Sequence, residues 1–294
     1  MELTQLRYFQ AAAYHEHITR AAEDLNISQP ALSTMISRLE KELGVPLFDH
    51  SGRSITLNQN GQVFLERVNR ILAEVDDARR EMIDMSERME STVSLAVSSP
   101  QFLAGMHTFI CENPSVKWNQ RVADRKEIAS LLKRGQIDLA VTSPGIHDEE
   151  FESTLLLQDR FRLAVHKDHP LAGRGRVRLE EVANERFILL LKGMPFRTQT
   201  DLIFEDLGVQ PQYMMECDHL LRRELINANA GITIASQSAF FRHLFSDDIR
   251  FLEIEGVTRT RDIVLTCRKH RYMNRAARQF AEFIRQRFTS MSEK

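Results

Sequence analysis

Gln29, Ser33 and Thr34, one helical turn apart behind Ser28 and Pro30, are side chains that hydrogen-bond without charge, and Ser37 and Arg38 follow one turn later. A glutamine amide donates and accepts at once, which matches the edge of an adenine. A serine hydroxyl bonds either way, and Pro30 with Ala31 can press on a thymine methyl. Ser28 and Ser37 suit capping and phosphate contacts, and Arg38 suits a phosphate or groove edge. Arg53, farther along, has the chemistry to enter a minor groove or hold its phosphates.

Other chemistries find little support. There is no Gly-rich phosphate loop, nucleophile elbow, metal-binding helix or convincing pair of carboxylates, so neither a catalytic nor a metal-binding residue is assigned and no cofactor is expected. His166 and His169 have a metal-ligand spacing, but Lys167 and Pro170 beside them read as an exposed turn. Cys111, Cys217 and Cys267 are too scattered for a disulfide framework or a zinc site and read as reduced thiols. No apolar run reaches the ~18 residues that span a bilayer, and no cleavable leader is legible, so a cytoplasmic protein without a membrane partner is expected.

The net charge of −2 does not announce nucleic acid, because acids slightly outnumber bases even in the first sixty residues. Placement of a few arginines therefore matters more than their sum. The elements that must place them are legible. Leu3, Leu6, Phe9, Ala12 and Ala13 recur at helical spacing, as do Ile18, Ala21, Ala22 and Leu25 after them. Ser28 reads as the N-cap of a third helix with Pro30 in its first turn and Leu32, Ile36, Leu39 and Leu43 as its buried stripe. Gly44 stops that helix, and Leu47-Phe48 and Ile55–Leu57 flank a polar turn. Three short helices and a hairpin predict a winged helix-turn-helix over residues 1–58.

A long helix follows over 59–90, capped by Asn58, in which Val68, Leu72, Val75, Ala78, Met82, Met85 and Met89 form the seam of a coiled-coil partner. From Thr92 strands alternate with helices. Strands are expected at Val93–Val97, Val116–Val122, Leu139–Thr142, Phe161–His166, Phe187–Leu191, Ile232–Ala235 and Ile263–Thr266, an α/β pattern in which ligands collect beyond the carboxyl ends of strands. The arginines from Arg259 to Arg287 read as solvated cations, the last helix turning Ala277, Phe280, Ile284 and Phe288 inward.

The run Ile18-Thr19-Arg20-Ala21-Ala22, then Ser28-Gln29-Pro30-Ala31-Leu32-Ser33, Leu43-Gly44-Val45-Pro46-Leu47-Phe48 and Arg53, resembles the LysR-type transcriptional regulators. The resemblance continues in Gly135–Val141 and His169-Pro170-Leu171-Ala172 and covers nearly the whole chain. It implies an α/β protein with an N-terminal winged helix-turn-helix and a two-lobed, periplasmic-binding-protein-like effector domain over 91–294, with lobe one at 92–161 and 267–294 and lobe two at 162–266. It also implies double-stranded DNA with a dyad-symmetric site, a small-molecule effector, a homodimer or homotetramer paired through the long helix, and RNA polymerase as a candidate partner.

By the same resemblance Ser98, Ser99 and Gln101 line a ligand loop, and Thr142 follows a second strand in the same manner; Arg125, where relatives have a small hydroxyl residue, has the chemistry to form with Arg197 a clamp for a carboxylate or phosphate. The sequence departs from the family at Thr34 (commonly arginine), His50, Ile55, Asn229 (commonly glycine) and Ser236-Gln237, which leaves base preference and the shape of the cleft open. An enzyme built on the α/β half and a DNA-bound protein with a silent cleft are the competing readings.

Overall fold

The computed structural model describes residues 1–51, 54–85, 91–236, 238, 241 and 244–292. Its contacts divide the chain into two units: Met1–Met89 with Lys133–Gln136 and His270–Asn274, and Glu90–Leu132 with Ile137–Lys269 and Arg275–Lys294.

In the first unit, α1 (Leu3–His15), α2 (Ile18–Asp24) and α3 (Gln29–Leu43) enclose Leu6, Phe9, Ala12, Ala21, Ala22, Leu32, Ile36 and Leu39. Ser28 caps α3 as the sequence leads one to expect, its Oγ accepting from the Ala31 amide at 3.4 Å. Gly44 ends the helix with a left-handed φ of 74°, where a side chain would be strained. The hairpin β1 (Phe48–Ser51) and β2 (Ser54–Leu57) pairs Phe48 with Leu57. Its root is tied to α3 by Glu40, whose Oε1 accepts from the amides of Leu47 at 2.8 Å and Phe48 at 3.3 Å.

The helix α4 (Gln59–Met85) starts under an Asn58 cap, whose Oδ1 accepts from the Gly61 amide at 3.0 Å. The expected seam along it is corrected. Val68 and Leu72 are buried in the core of their own unit, packed with Phe9 and Phe48, because the 3.6-residue pitch carries them round to α1. Ala78 and Met82 of the expected seam do face outward, and Val63 and Ile71, which are not part of it, join them. Met89 and the side chain of Met85 lie outside the described residues, as does Arg53.

The second unit is organised by two long strands, β6 (Phe151–His166) and β12 (Thr260–Arg268). Parallel strands β4 (Lys117–Val122), β3 (Thr92–Val97) and β5 (Leu139–Thr142) lead in that order to β12, which runs antiparallel to β5 and to the first part of β6. At Phe161 the partner of β6 changes to β10 (Thr233–Ser236), with β11 (Ile249–Ile254) on its other side and β7 (Arg176–Val177) beyond. The change falls where the first lobe is expected to end. The return crossing, however, begins at Thr260, seven positions before the expected 267, because β12 already pairs there with Arg160.

Helices α5 (His107–Glu112), α6 (Arg125–Lys133) and α9 (Arg275–Ser292) belong to the first half, and α9 buries Ala277, Phe280, Ile284 and Phe288 as expected. The second half carries β8 (Phe187–Leu190), β9 (Tyr213–Cys217), α7 (Pro195–Asp206) and α8 (His219–Asn227). Asn229, just past α8, has φ 57°. Asparagine is among the few residues other than glycine that visit this left-handed region readily, which explains its tolerance there.

Gly61 gives a test of how α4 meets the wing. A Cβ there falls 2.1 Å from the Leu47 carbonyl oxygen, a backbone atom that cannot swing away. The helix would gain up to about 1 kcal/mol from alanine's propensity, but overpacking costs about 1–3 kcal/mol. Gly61→Ala should therefore lower stability in denaturant titration.

Candidate functional site

Two sets of polar residues stand out, one on each unit. On α3, Ser28, Gln29, Pro30, Ala31, Thr34, Ser37 and Arg38 are all exposed and Ser33 is half-buried, while Leu32, Ile36 and Leu39 face the core. Gln29 Nε2 donates to Ser33 Oγ at 3.1 Å, which holds the two side chains together at the start of the helix. Thr34 Oγ1 donates to the Pro30 carbonyl at 2.8 Å, so its hydroxyl is turned back onto the helix. Arg38 and Arg20 form no ion pair among the described residues. This is a polar surface bonded only within itself, on a helix of fifteen residues.

The second set lies where β3 and β5 end and where β12 crosses. Ser98, Ser99 and Thr142 are buried and Gln101 is half-buried. Ser98 Oγ accepts from the Ser143 amide at 3.1 Å, joining the two loops. Ser99 Oγ and Thr142 Oγ1 are buried without a hydrogen-bond partner. The expected arginine clamp is corrected. Arg125 is exposed and its nearest acceptor is the Gly145 carbonyl at 3.4 Å. Arg197 is buried, but its Nε donates to Asp201 at 2.5 Å and its Nη1 to Glu216 at 2.8 Å and the Leu190 carbonyl at 2.6 Å. Two carboxylates have already answered its charge.

The arginines at the crossing are others. Arg261 on β12 is buried, with Nε donating to Ser143 Oγ at 3.3 Å and Nη1 to Ser236 Oγ at 2.9 Å. Its guanidinium lies 5.2, 4.7 and 5.0 Å from the ring centres of Phe102, Phe196 and Phe241. Arg222 on α8 is buried against Phe196 at 5.4 Å, its Nη1 donating to the Ile234 carbonyl at 3.3 Å. Burial pulls both arginines down to about 10, still charged at neutral pH. Burial first, then Arg222 and Arg261, push His219 down to about 3, so its imidazole is neutral.

These three side chains were missed by sequence reasoning, yet two carry a signal. Arg261, Ile263 and Leu265 share the parity of one strand face, and Arg222 stands four residues before Ile226 on one helix face. In each case a cation occupies an apolar stripe. Arg261 corrects the reading of the stretch from Arg259 onward as solvated cations.

Comparison with known proteins identifies the two regions that carry these sets. Residues 3–62 match the bacterial regulatory helix-turn-helix protein model of the lysR family, and residues 88–289 match the LysR substrate binding domain. The chain belongs to the LysR family of transcriptional regulators. Among its relatives, the uncharacterized HTH-type transcriptional regulator YybE of Bacillus subtilis is 33% identical over 98% of this chain and 100% of its own. The hydrogen peroxide-inducible genes activator of Pectobacterium carotovorum is 26% identical over 100% and 99%. Of the solved structures, a full-length OxyR variant from Pseudomonas aeruginosa has a TM-score of 0.66 at 19% identity, covering 99% of this chain and 96% of that one. Full-length BenM has 0.54 at 27%, covering 99% and 97%.

A LysR-type regulator is a DNA-binding protein with an effector domain and not an enzyme, and the two polar sets fall one in each matched region. The half-buried His219 should make the effector domain sensitive to acid. An unfolded chain protonates His219 near its ordinary value of about 6.5, whereas the folded one resists down to about 3, so stability falls as pH drops through that window. From pH 6.5 to 5 this single group costs roughly 2 kcal/mol. His219→Asn should flatten the pH dependence of denaturant midpoints by about that amount relative to the parent; parallel curves would refute it.

Proposed function

We propose that this LysR-type regulator reads a dyad-symmetric promoter site with the start of α3 in the major groove, and that a small molecule held between the halves of the effector domain modulates it. The supporting observation is the polar row of Gln29, Ser33, Ser37 and Arg38, whose only side-chain hydrogen bond among the described residues is the one between Gln29 and Ser33, on a helix whose opposite face is locked into a core. Gln29 and Ser33 are assigned to base edges, and Ser28, Ser37 and Arg38 to phosphates or groove edge. Pro30 is assigned to a thymine methyl, Thr34 to van der Waals contact, and Arg53 to the neighbouring minor groove.

Val63, Ile71, Ala78 and Met82 supply the apolar face through which two copies pair along α4, and a dimer of dimers is the assembly this reading favours. RNA polymerase is the further partner assigned at the promoter, and the cytoplasm is the expected site of action. No described helix is long and apolar enough to cross a membrane. A thiol-based response is not favoured, since burial raises the pKa of Cys217 and Cys267 and holds them as thiols.

Selection of bound genomic fragments tests the DNA reading. A few dyad-symmetric sites should be recovered. Gln29→Ala should cost about 1–3 kcal/mol of discrimination at one base pair in each half-site, and Arg38→Ala should weaken all sequences alike and reduce the salt slope by about 1. Weak binding that ignores sequence, unchanged in both variants, would defeat the assignment. Ile71→Glu should halve the particle mass in light scattering and reduce operator affinity at least tenfold, because one domain alone holds a single half-site.

A further inference from the structure

We propose that the effector is a small oxyanion, bound where the halves of the effector domain meet by Arg222 and Arg261 with the hydroxyls of Ser99 and Thr142. The inference rests on the effector reading given above and names the chemistry of its ligand.

The first ground is charge. Arg222 and Arg261 are both buried, and neither forms an ion pair among the described residues. The carboxylate that acts on Arg261 is Asp159, which faces it across the strand pair. Its oxygens accept from the Arg160 amide at 2.8 Å and from the Ser238 amide and hydroxyl at 2.9 and 3.2 Å. Asp159 is thus already engaged by three donors, and the one hydrogen-bond acceptor of Arg222 among the described residues is the Ile234 carbonyl. The undescribed neighbours at 237, 239, 240, 242 and 243 are Gln, Ala, Phe, Arg and His, so no acid comes from them. Of the other titratable groups at the start of α8, His219 is neutral, the Cys217 thiol has its pKa raised by burial, and the Asp218 carboxylate caps the helix by accepting from the Leu221 amide. Buried charges are normally paired, and an excess of buried positive charge is the complement of a negative ligand.

The second ground is the set of unsatisfied polar atoms. Ser99 Oγ, Thr142 Oγ1, His219 Nδ1 and Arg222 Nε are all buried without a hydrogen-bond partner. Buried polar atoms almost always find one, and these four lie on Arg222 itself, on its helix, and in the two loops tied to Arg261 through Ser143. They come from the ends of β3 and β5, which Ser98 and Ser143 tie together, and from α8 in the other half. Arg261 already bridges these halves through Ser143 and Ser236. An oxyanion with two or more acceptor oxygens satisfies donors from both halves at once, which couples its binding to their approach.

The test uses the full-length protein in thermal unfolding and titration calorimetry. Acetate, succinate, benzoate, phosphate and sulfate are each compared with chloride at equal ionic strength, and benzamide serves as the uncharged counterpart of benzoate. At least one anion should raise the melting temperature along a saturable curve, as a ligand specific to the folded state must, and benzamide should not. Preference for carboxylates assigns an organic acid, and preference for phosphate or sulfate an inorganic one.

Arg222→Met and Arg261→Met should weaken the responding anion at least tenfold, and Thr142→Val, which keeps the shape, should weaken it less. Without ligand, Arg222→Met should melt no lower than the parent, because it removes a buried charge that nothing balances. An arginine with a purely structural role would give a lower melting point and leave anion binding intact, which would overturn the proposal. A saturable response to an uncharged compound alone would overturn it while leaving the effector reading in place. No response to any compound, charged or not, would count against both.

Discussion

The pairing of β12 with β6 is the constraint on which the effector domain depends. These strands run together from Thr260 opposite Arg160 to Arg268 opposite Phe151, and β6 then continues into the other half with β10 and β11. One residue of slip would turn Arg261 to the outer face and bring Asp262 in. The register is specified by Ile263 and Leu265, which are buried at 0% and 2% exposure and share the parity of Arg261. Apolar burial of the order of 2 kcal/mol for each such side chain thus fixes where a charged one must go.

Holding a guanidinium there is costly, and the surroundings show how the cost is offset without a counter-ion. Three phenyl rings lie within 5.2 Å of Arg261, and a desolvated cation over an aromatic face gains about 2 kcal/mol. Two serine hydroxyls accept from it. The delocalised, weakly hydrated guanidinium suits this setting better than an ammonium would. Arg197, by contrast, is held by two carboxylates on the same half and contributes rigidity to α7 and β9. Two buried arginines of one domain therefore do different work, and their neighbours, not their burial, tell them apart.

Much of the DNA-binding unit was legible in the sequence, because its signals are local. A serine three residues before the amide it caps, a glycine at a left-handed stop, and an asparagine ahead of α4 each act within one turn of chain. The surface of α3 follows from the 3.6-residue period alone. What failed was the outer face of α4. Val68 and Leu72 satisfy a heptad as well as they satisfy packing on α1, and only the rest of the core decides between the two.

The candidate effector site was legible in its hydroxyls and not in its cations, for a physical reason. Ser98, Ser99 and Thr142 follow apolar strands directly, so one short segment carries both the strand and its loop. Arg222 and Arg261 reach the same place from a helix and a strand far apart in the chain, through pairings that no local pattern encodes. The first ten residues of β6 were also passed over, since Glu152, Ser153, Gln158 and Arg160 make an amphipathic edge look like a loop. Without that half of β6 there is no partner to bring β12 across, and an arginine in a basic stretch reads as solvent-facing. The rule that survives is positional: a charged residue whose strand or helix parity matches its buried apolar neighbours is buried with them, and its partner then has to be sought elsewhere in the fold.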